Sequence, residues 1–289
     1  VIAGGVENMT RAPYSMPKAT EPFARTPPPI YDTTLGWRYP NPKMAERFEL
    51  IGLGDTAENV AKKYDIRRDE QDEFALQSHK KAAAAWDAGA FANEIVPVPV
   101  PGDKGAVVQF ARDESIRADT TIEKLAKLEP AFKKGGTVTA GNSSPLNDGA
   151  AAIVLASDEG LKALSATPLA RVLASATAGV DPNYMGEGPI PATKKALARA
   201  GLRVPNVELV EMNEAFASQV IACQRALDLD PARVNVRGGA IALGHPIGAS
   251  GARIVGTLVH GMKARGAKVG LATLCIGVGQ GMSMLFESV

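Results

Sequence analysis

The sequence predicts an α/β protein in which a layered sheet is covered by helices. Three observations carry that expectation. From Pro168 onward, short apolar runs alternate regularly with helical stretches, the pattern of strands joined by helices. At 289 residues the chain is long enough to bury a real core as one large or two ordinary domains. Hydrophobic residues make up 45% and aromatics only 5%, which fits an alanine-rich α/β interior.

The chain opens on Val1-Ile-Ala-Gly-Gly, which reads as the end of a buried strand entering a turn, so that further chain is expected ahead of it. Residues 10 to 46 hold many of the 20 prolines and predict an irregular excursion pinned by Tyr31, Trp37 and Tyr39. Asp55-Thr-Ala-Glu is a capping pattern that starts a helix running to Tyr64. A second helix begins near Asp69 and ends at Gly89. Proline makes Glu94 to Pro101 extended. Residues 103 to 134 are rich in charge; they read as a solvated surface or as a docking patch for a phosphorylated cofactor. The polar loop Thr137-Val-Thr-Ala-Gly-Asn-Ser-Ser-Pro-Leu-Asn-Asp-Gly149 then feeds the apolar run Ala150 to Ala156, expected to be buried. Strands are expected at Leu169 to Ala176, Val207 to Met212, Arg233 to Val236, Val269 to Cys275 and Met282 to Phe286. Helices are expected at Pro191 to Ala200, Ala215 to Leu227 and Ala249 to Arg265.

Composition also excludes several classes. A net charge of +1 gives no general preference for nucleic acid or membrane surfaces. Two cysteines far apart make no disulfide framework and suit a reducing compartment, the cytoplasm or an organellar matrix. No apolar run reaches the length of a membrane span. Cys223, His245, His260 and Cys275 lack every compact zinc spacing.

The residues that carry chemistry lie in three segments. Gly238-Gly-Ala-Ile-Ala-Leu-Gly-His-Pro-Ile-Gly-Ala-Ser-Gly251 presents His245 from a small-residue loop ahead of a helix, where an imidazole can move protons or donate to an oxyanion. Ala272-Thr-Leu-Cys-Ile-Gly-Val-Gly-Gln-Gly281 places Cys275 at a strand end before glycines whose amides are open, and a packed core cysteine needs no such loop. Asn213, in Glu211-Met-Asn-Glu-Ala-Phe-Ala217, is either a helix N-cap or an amide that holds a catalytic water or carbonyl. Cys223 lies on an apolar helix face and reads as core; His79 and His260 read as surface residues.

Together these segments resemble one family, the thiolases (acetyl-CoA C-acyltransferases, including 3-ketoacyl-CoA thiolase). Val1 to Met9, Thr56-Ala-Glu-Asn, Asp69-Glu-Gln-Asp and Gly136-Thr-Val-Thr-Ala-Gly-Asn match in the same order. The resemblance implies the thiolase fold, two similar βαβαβαββ halves in α/β/α/β/α layers with an inserted loop domain. On that basis residues 1–13 and 145–165 belong to an incomplete N-terminal half, 14–144 to the loop domain with CoA and oligomer contacts, and 166–289 to the C-terminal half. The implied reaction is ping-pong acyl exchange between 3-oxoacyl-CoA and CoA, with no permanently bound cofactor and a homodimer or homotetramer as the assembly.

By the same resemblance His245 activates a nucleophilic cysteine and, with a water held by Asn213, stabilises the thioester oxyanion. Cys275 is the second, proton-handling cysteine, and the Gly277 amide contributes to an oxyanion hole. Ser144 holds the pantetheine arm, Met185 and Phe216 line its tunnel, and Arg117 lies near the nucleotide end. The nucleophile itself is expected in a Cys-x-Ser motif ahead of Val1, since none occurs in these 289 residues. Asp32-Thr-Thr-Leu-Gly-Trp-Arg-Tyr and the Cys275 segment resemble degradative thiolases, with a general 3-ketoacyl-CoA enzyme as first reading and the 3-oxoadipyl-CoA branch as alternative. A nucleotide-binding oxidoreductase is disfavoured because only eight residues follow Gly281. A ketoacyl synthase would carry a histidine in place of Cys275, and a non-catalytic lipid-binding or scaffold relative is the rival of another class.

Overall fold

The computed structural model describes all 289 residues. The first 110 hold β1 (Ile2–Asn8), the short pair β2 (Tyr14–Ser15) and β3 (Tyr31–Asp32), helices α1 (Pro42–Ala45), α2 (Leu53–Lys63) and α3 (Arg68–Asp87), and the hairpin of β4 (Val98–Pro101) and β5 (Val107–Phe110). They are followed by α4 (Ile122–Ala126), β6 (Asp148–Val154) and α5 (Asp158–Leu164). The remainder alternates: β7 (Ala170–Gly179), α6 (Pro189–Ala200), β8 (Leu209–Met212), α7 (Ala217–Leu227), α8 (Ala240–Leu243), α9 (Ile247–Arg265), β9 (Val269–Ile276) and β10 (Gln280–Ser288).

Four strands form one sheet in the order β7, β10, β9, β8; only β8 and β9 run parallel. Because side chains alternate across a strand, neighbouring residues face opposite layers. Val210, Leu271 and Leu285 point to α6 and α7, where they bury Ile190, Leu197, Val220, Cys223 and Leu227. Leu209, Ala272 and Phe286 point the other way, to α9. There Ile254, Leu258 and Met262 recur every fourth residue and so form one continuous buried stripe. Full burial of a side chain of that size is worth about 1.5–3 kcal/mol.

A second, two-stranded antiparallel sheet of β1 and β6 packs on the far side of α9. α9 is therefore a central layer, sandwiched between two sheets, with α6 and α7 outside the larger one. The approach is closest where Gly5 crosses Gly248: a Cβ on Gly5 would stand 1.8 Å from the Gly248 carbonyl oxygen, so only glycine fits. Glu7 fixes the same crossing by accepting the Gly248 N–H at 3.0 Å.

Several expectations are corrected here. β1 is not a buried strand; its residues alternate between exposed and half-buried, because one face lies on α9 and the other is open. The same holds for β6, so within Ala150 to Ala156 only Ala151 and Ile153 are half-buried and the rest are exposed rather than buried. Arg233 to Val236 is no strand: a 3-10 turn ends at Arg233, and Val234 and Val236 make only isolated bridges. α2 begins two residues before Asp55, whose carboxylate accepts the Gly52 N–H at 3.2 Å from the third helical position. In the excursion, Tyr31 and Tyr39 pack with ring centres 5.0 Å apart at a tilt of 56°, and the Trp37 indole donates to the Ile51 carbonyl at 2.9 Å.

Candidate active site

Three backbone segments meet at the end of the larger sheet. Past β8, the Asn213 N–H donates to the Thr273 carbonyl at 3.0 Å, which carries the parallel pairing on until it stands beside β9, two residues before Cys275. α7 starts only at Ala217, so Asn213 is not its N-cap and its side chain is free for another use. The loop 142–144 runs antiparallel along this segment: the Ser144 N–H donates to the Ala215 carbonyl at 3.0 Å and the Ala217 N–H to the Asn142 carbonyl at 2.9 Å. Ser143 is thereby paired with Phe216 and Ser144 with Ala215, and Phe216 packs with Met185, Ala57 and Val138 around Cys275.

Glu58 builds that loop from below. Its carboxylate accepts the backbone N–H groups of Thr137 and Val138, each at 2.8 Å. Asn142 closes the turn by accepting the Thr139 N–H at 2.8 Å and donating to Asp72 at 2.9 Å.

His245 is half-buried and held on every side. Its Nε2 lies 3.2 Å from the Asn213 amide nitrogen and its Nδ1 2.6 Å from the Ser250 hydroxyl. Its own N–H donates to the Asn147 side chain at 3.1 Å. Gly244, at φ +105°, lets the chain turn against that same carboxamide, where a Cβ would come within 2.7 Å of it. Burial, and secondarily the Arg253 guanidinium, push the imidazole down from 6.5 to about 4. At neutral pH His245 is therefore uncharged and can act as a base.

Cys275 is buried at 7% exposure, and burial pushes its thiol up to about 12. It is a protonated thiol, suited to giving a proton rather than attacking as a thiolate. The β9–β10 ladder ends at the Ile276–Gln280 pair, which leaves Gly277 outside it in the turn that follows Cys275. Cys223 is in the core as expected: its thiol donates to the Gly186 carbonyl at 3.3 Å, and burial raises it strongly. Arg117 is exposed and is tied to this cluster only through its chain neighbour Ser115, which accepts from Asn147 at 2.9 Å.

His79 corrects the surface reading. It is buried on α3, and its Nδ1 accepts the Arg117 backbone N–H at 3.1 Å. Burial first, then Arg117, lower it from 6.5 to about 4. Because the folded state resists this proton, the stability it confers is full above 6.5 and is lost as pH falls toward 4. His79→Asn, which keeps an acceptor near the Nδ1 position, should make urea stability fall less between those limits, by roughly 1 kcal/mol after allowing for solvent screening. Equal acid slopes in variant and parent would refute it.

Sequence reasoning passes over four residues that matter here. Ser250 and Asn147 had no signal beyond nearness to glycine loops. Glu58 and Glu214 stood inside quoted motifs, yet a carboxylate that binds backbone is not distinguishable by spacing from one on a surface. Glu214 accepts from Ser78 at 2.6 Å, Asn235 at 2.8 Å and the Ile241 N–H at 3.1 Å, and so anchors the start of the His245 loop. No group of three or more His, Cys, Asp or Glu side chains is arranged to hold a metal ion, and no helix is long and apolar enough to cross a membrane.

A neutral imidazole bonded to Asn213, and Asn213 paired to the strand that ends in a buried thiol, form the cluster at this end of the sheet. The chain belongs to the thiolase family: residues 1–159 match the thiolase N-terminal domain and residues 166–288 the thiolase C-terminal domain. All of it aligns with a beta-ketoadipyl-CoA thiolase of Acinetobacter baylyi, 50% identical over 72% of that protein. An acetyl-CoA acetyltransferase of Pseudomonas aeruginosa is 51% identical, over 98% of this chain and 71% of that one. The crystal structure of the Bacillus anthracis acetyl-CoA acetyltransferase superposes with a TM-score of 0.90 at 43% identity, covering the whole chain and 71% of that structure. Human mitochondrial 3-ketoacyl-CoA thiolase in complex with CoA gives 0.87 at 42%, over the whole chain and 70% of that structure. The protein is an acyltransferase that uses CoA as a substrate.

Proposed function

We propose that this chain supplies the proton-handling and oxyanion-binding side of a degradative thiolase that transfers acyl groups between 3-oxoacyl-CoA and CoA. One observation supports it above all: neutral His245 is bound to Asn213 at 3.2 Å, and Asn213 is laddered to the strand that ends in the protonated Cys275. His245 takes the proton from the attacking thiol. Cys275 protonates the departing acetyl-CoA carbanion and then accepts the proton of incoming CoA. Asn213 Oδ1, buried and without a partner in the chain, is free to hold a water against the thioester oxygen, and the Gly277 N–H binds the tetrahedral oxyanion. Ser144 binds the pantetheine arm, between the walls formed by Met185 and Phe216, and Arg117 sits toward the nucleotide. The acyl-carrying thiol is assigned to neither Cys275 nor the core residue Cys223.

A homodimer or homotetramer belongs to the same reading, supported by the apolar outer face of β1 and β6, where Ile2, Val6 and Val154 are exposed. The names of the A. baylyi relative and of the 3-oxoadipyl-CoA/3-oxo-5,6-dehydrosuberyl-CoA thiolase of Escherichia coli K12, 48% identical, favour 3-oxoadipyl-CoA as a second reading of the substrate. Steady-state thiolysis by an enzyme that carries the Cys-x-Ser nucleophile together with these 289 residues decides between them. Comparable kcat/KM on acetoacetyl-CoA and 3-oxoadipyl-CoA is expected. A preference for 3-oxoadipyl-CoA beyond about 10-fold selects the second reading, and no CoA-dependent cleavage of either defeats both.

A further inference from the structure

We infer that Ser250 is a positioning residue that fixes the proton of His245 on Nδ1 and so leaves Nε2 as the working base. The inference rests on the thiolase reading for its catalytic half and on three distances for its structural half.

Ser250 lies on the first turn of α9, fully buried, five residues after the histidine. Its hydroxyl has a single proton, and its oxygen lies 2.8 Å from the Pro246 carbonyl, which can only accept. With the proton used there, the 2.6 Å approach to His245 requires the imidazole Nδ1–H to donate into the Ser250 oxygen. The far side of the ring agrees: the Asn213 amide nitrogen, which can only donate, lies 3.2 Å from Nε2, so Nε2 accepts and carries no proton.

The opposite arrangement has Ser250 donating to Nδ1 and an Nε2–H donating to a turned Asn213 amide. It would put the proton where the nucleophile's proton has to arrive. A base needs an unprotonated nitrogen, and a hydrogen bond at the other ring nitrogen is how that is secured; the Nε2 lone pair that here accepts the Asn213 N–H is the one that would take the thiol's proton. The serine is placed by the helix rather than by a loop, because its hydroxyl bonds back one turn to the residue preceding α9. His245 is thus oriented from the rigid central layer of the fold, and Asn147 fixes its backbone independently.

Long-range proton–nitrogen correlation spectra of the nitrogen-15 histidine-labelled enzyme test this. The chain has only three histidines, and a His245→Asn sample assigns the signal. The native enzyme is expected to show His245 as the Nδ1–H tautomer. Ser250→Ala is expected to move it to Nε2–H and to lower kcat about 10–100-fold with KM changed less than about threefold. An Nε2–H tautomer in the native enzyme overturns the proposal. So does Ser250→Ala with an unchanged tautomer, whether kcat holds, as for a bystander, or falls, as for a packing role. If Ser250→Ala does not fold, the native tautomer still decides. A native enzyme with no thiolytic turnover would count against the thiolase reading alone, since the tautomer is read without the reaction.

Discussion

Cys275→Ala should lower kcat for thiolysis by about 10²–10⁴, the range covered by loss of a positioned acid–base group, while the fold and acyl-CoA binding survive. The geometry sets these three expectations apart. The thiol is enclosed by Ala57, Met185, Ala215 and Phe216, with Leu53 beside them, so alanine loses little volume, and loss of stability should be about 1 kcal/mol. Binding should hold because the residues proposed to grip CoA, Ser144 foremost, are fixed by backbone bonds to Ala215 and not by the cysteine. What disappears is a thiol held protonated by burial, and neither alanine nor the weakly acidic hydroxyl of serine replaces it. Steady-state kinetics with a melting curve check all three. A kcat loss below about tenfold would reduce Cys275 to a core residue.

His245→Ala should cost at least as much, about 10³-fold or more in kcat, since it removes the proposed base and a proposed oxyanion contact together. Asn213→Ala shares the same hydrogen bond, so the double variant should fall well short of the product of the two single losses. Multiplicative losses would show that the two side chains act separately. The stability change should be small, because the histidine loop keeps its ties through Glu214 to Ile241 and Glu7 to Gly248.

The two halves of the chain were unequally readable. In the C-terminal half, strand and helix periods alternate without interruption and each buried stripe faces a single layer, so local pattern and tertiary role coincide. Boundaries from β7 to β10 accordingly shift by a few residues only. Arg233 to Val236 failed because a stretch that alternates polar residues with valine is no strand without a partner along its length. β1 and β6 misread as buried for a related reason: glycine, alanine, valine and isoleucine carry no mark of which face a distant helix covers.

At the candidate site, His245 stood out because glycines flank it on both sides, and Cys275 because a glycine-rich turn follows it. Asn213 remained divided between cap and catalyst until the start of α7 showed that it caps nothing. Ser250 was silent. A serine five residues after a histidine has meaning only once a helix turn folds one back on the other.

The bond from Glu7 to Gly248 closes a span of 241 residues, and the Gly5–Gly248 crossing beside it tolerates no slack. Loops that long are entropically late to close. The four-stranded sheet and its helices are joined by much shorter connections and can consolidate before the chain's beginning docks. Catalytic competence should therefore appear as one of the last events of folding, when an early-synthesised strand is laid against a late-synthesised helix. A partly folded chain would hold most of its secondary structure and still lack the Glu7–Gly248 tie beside the His245 loop.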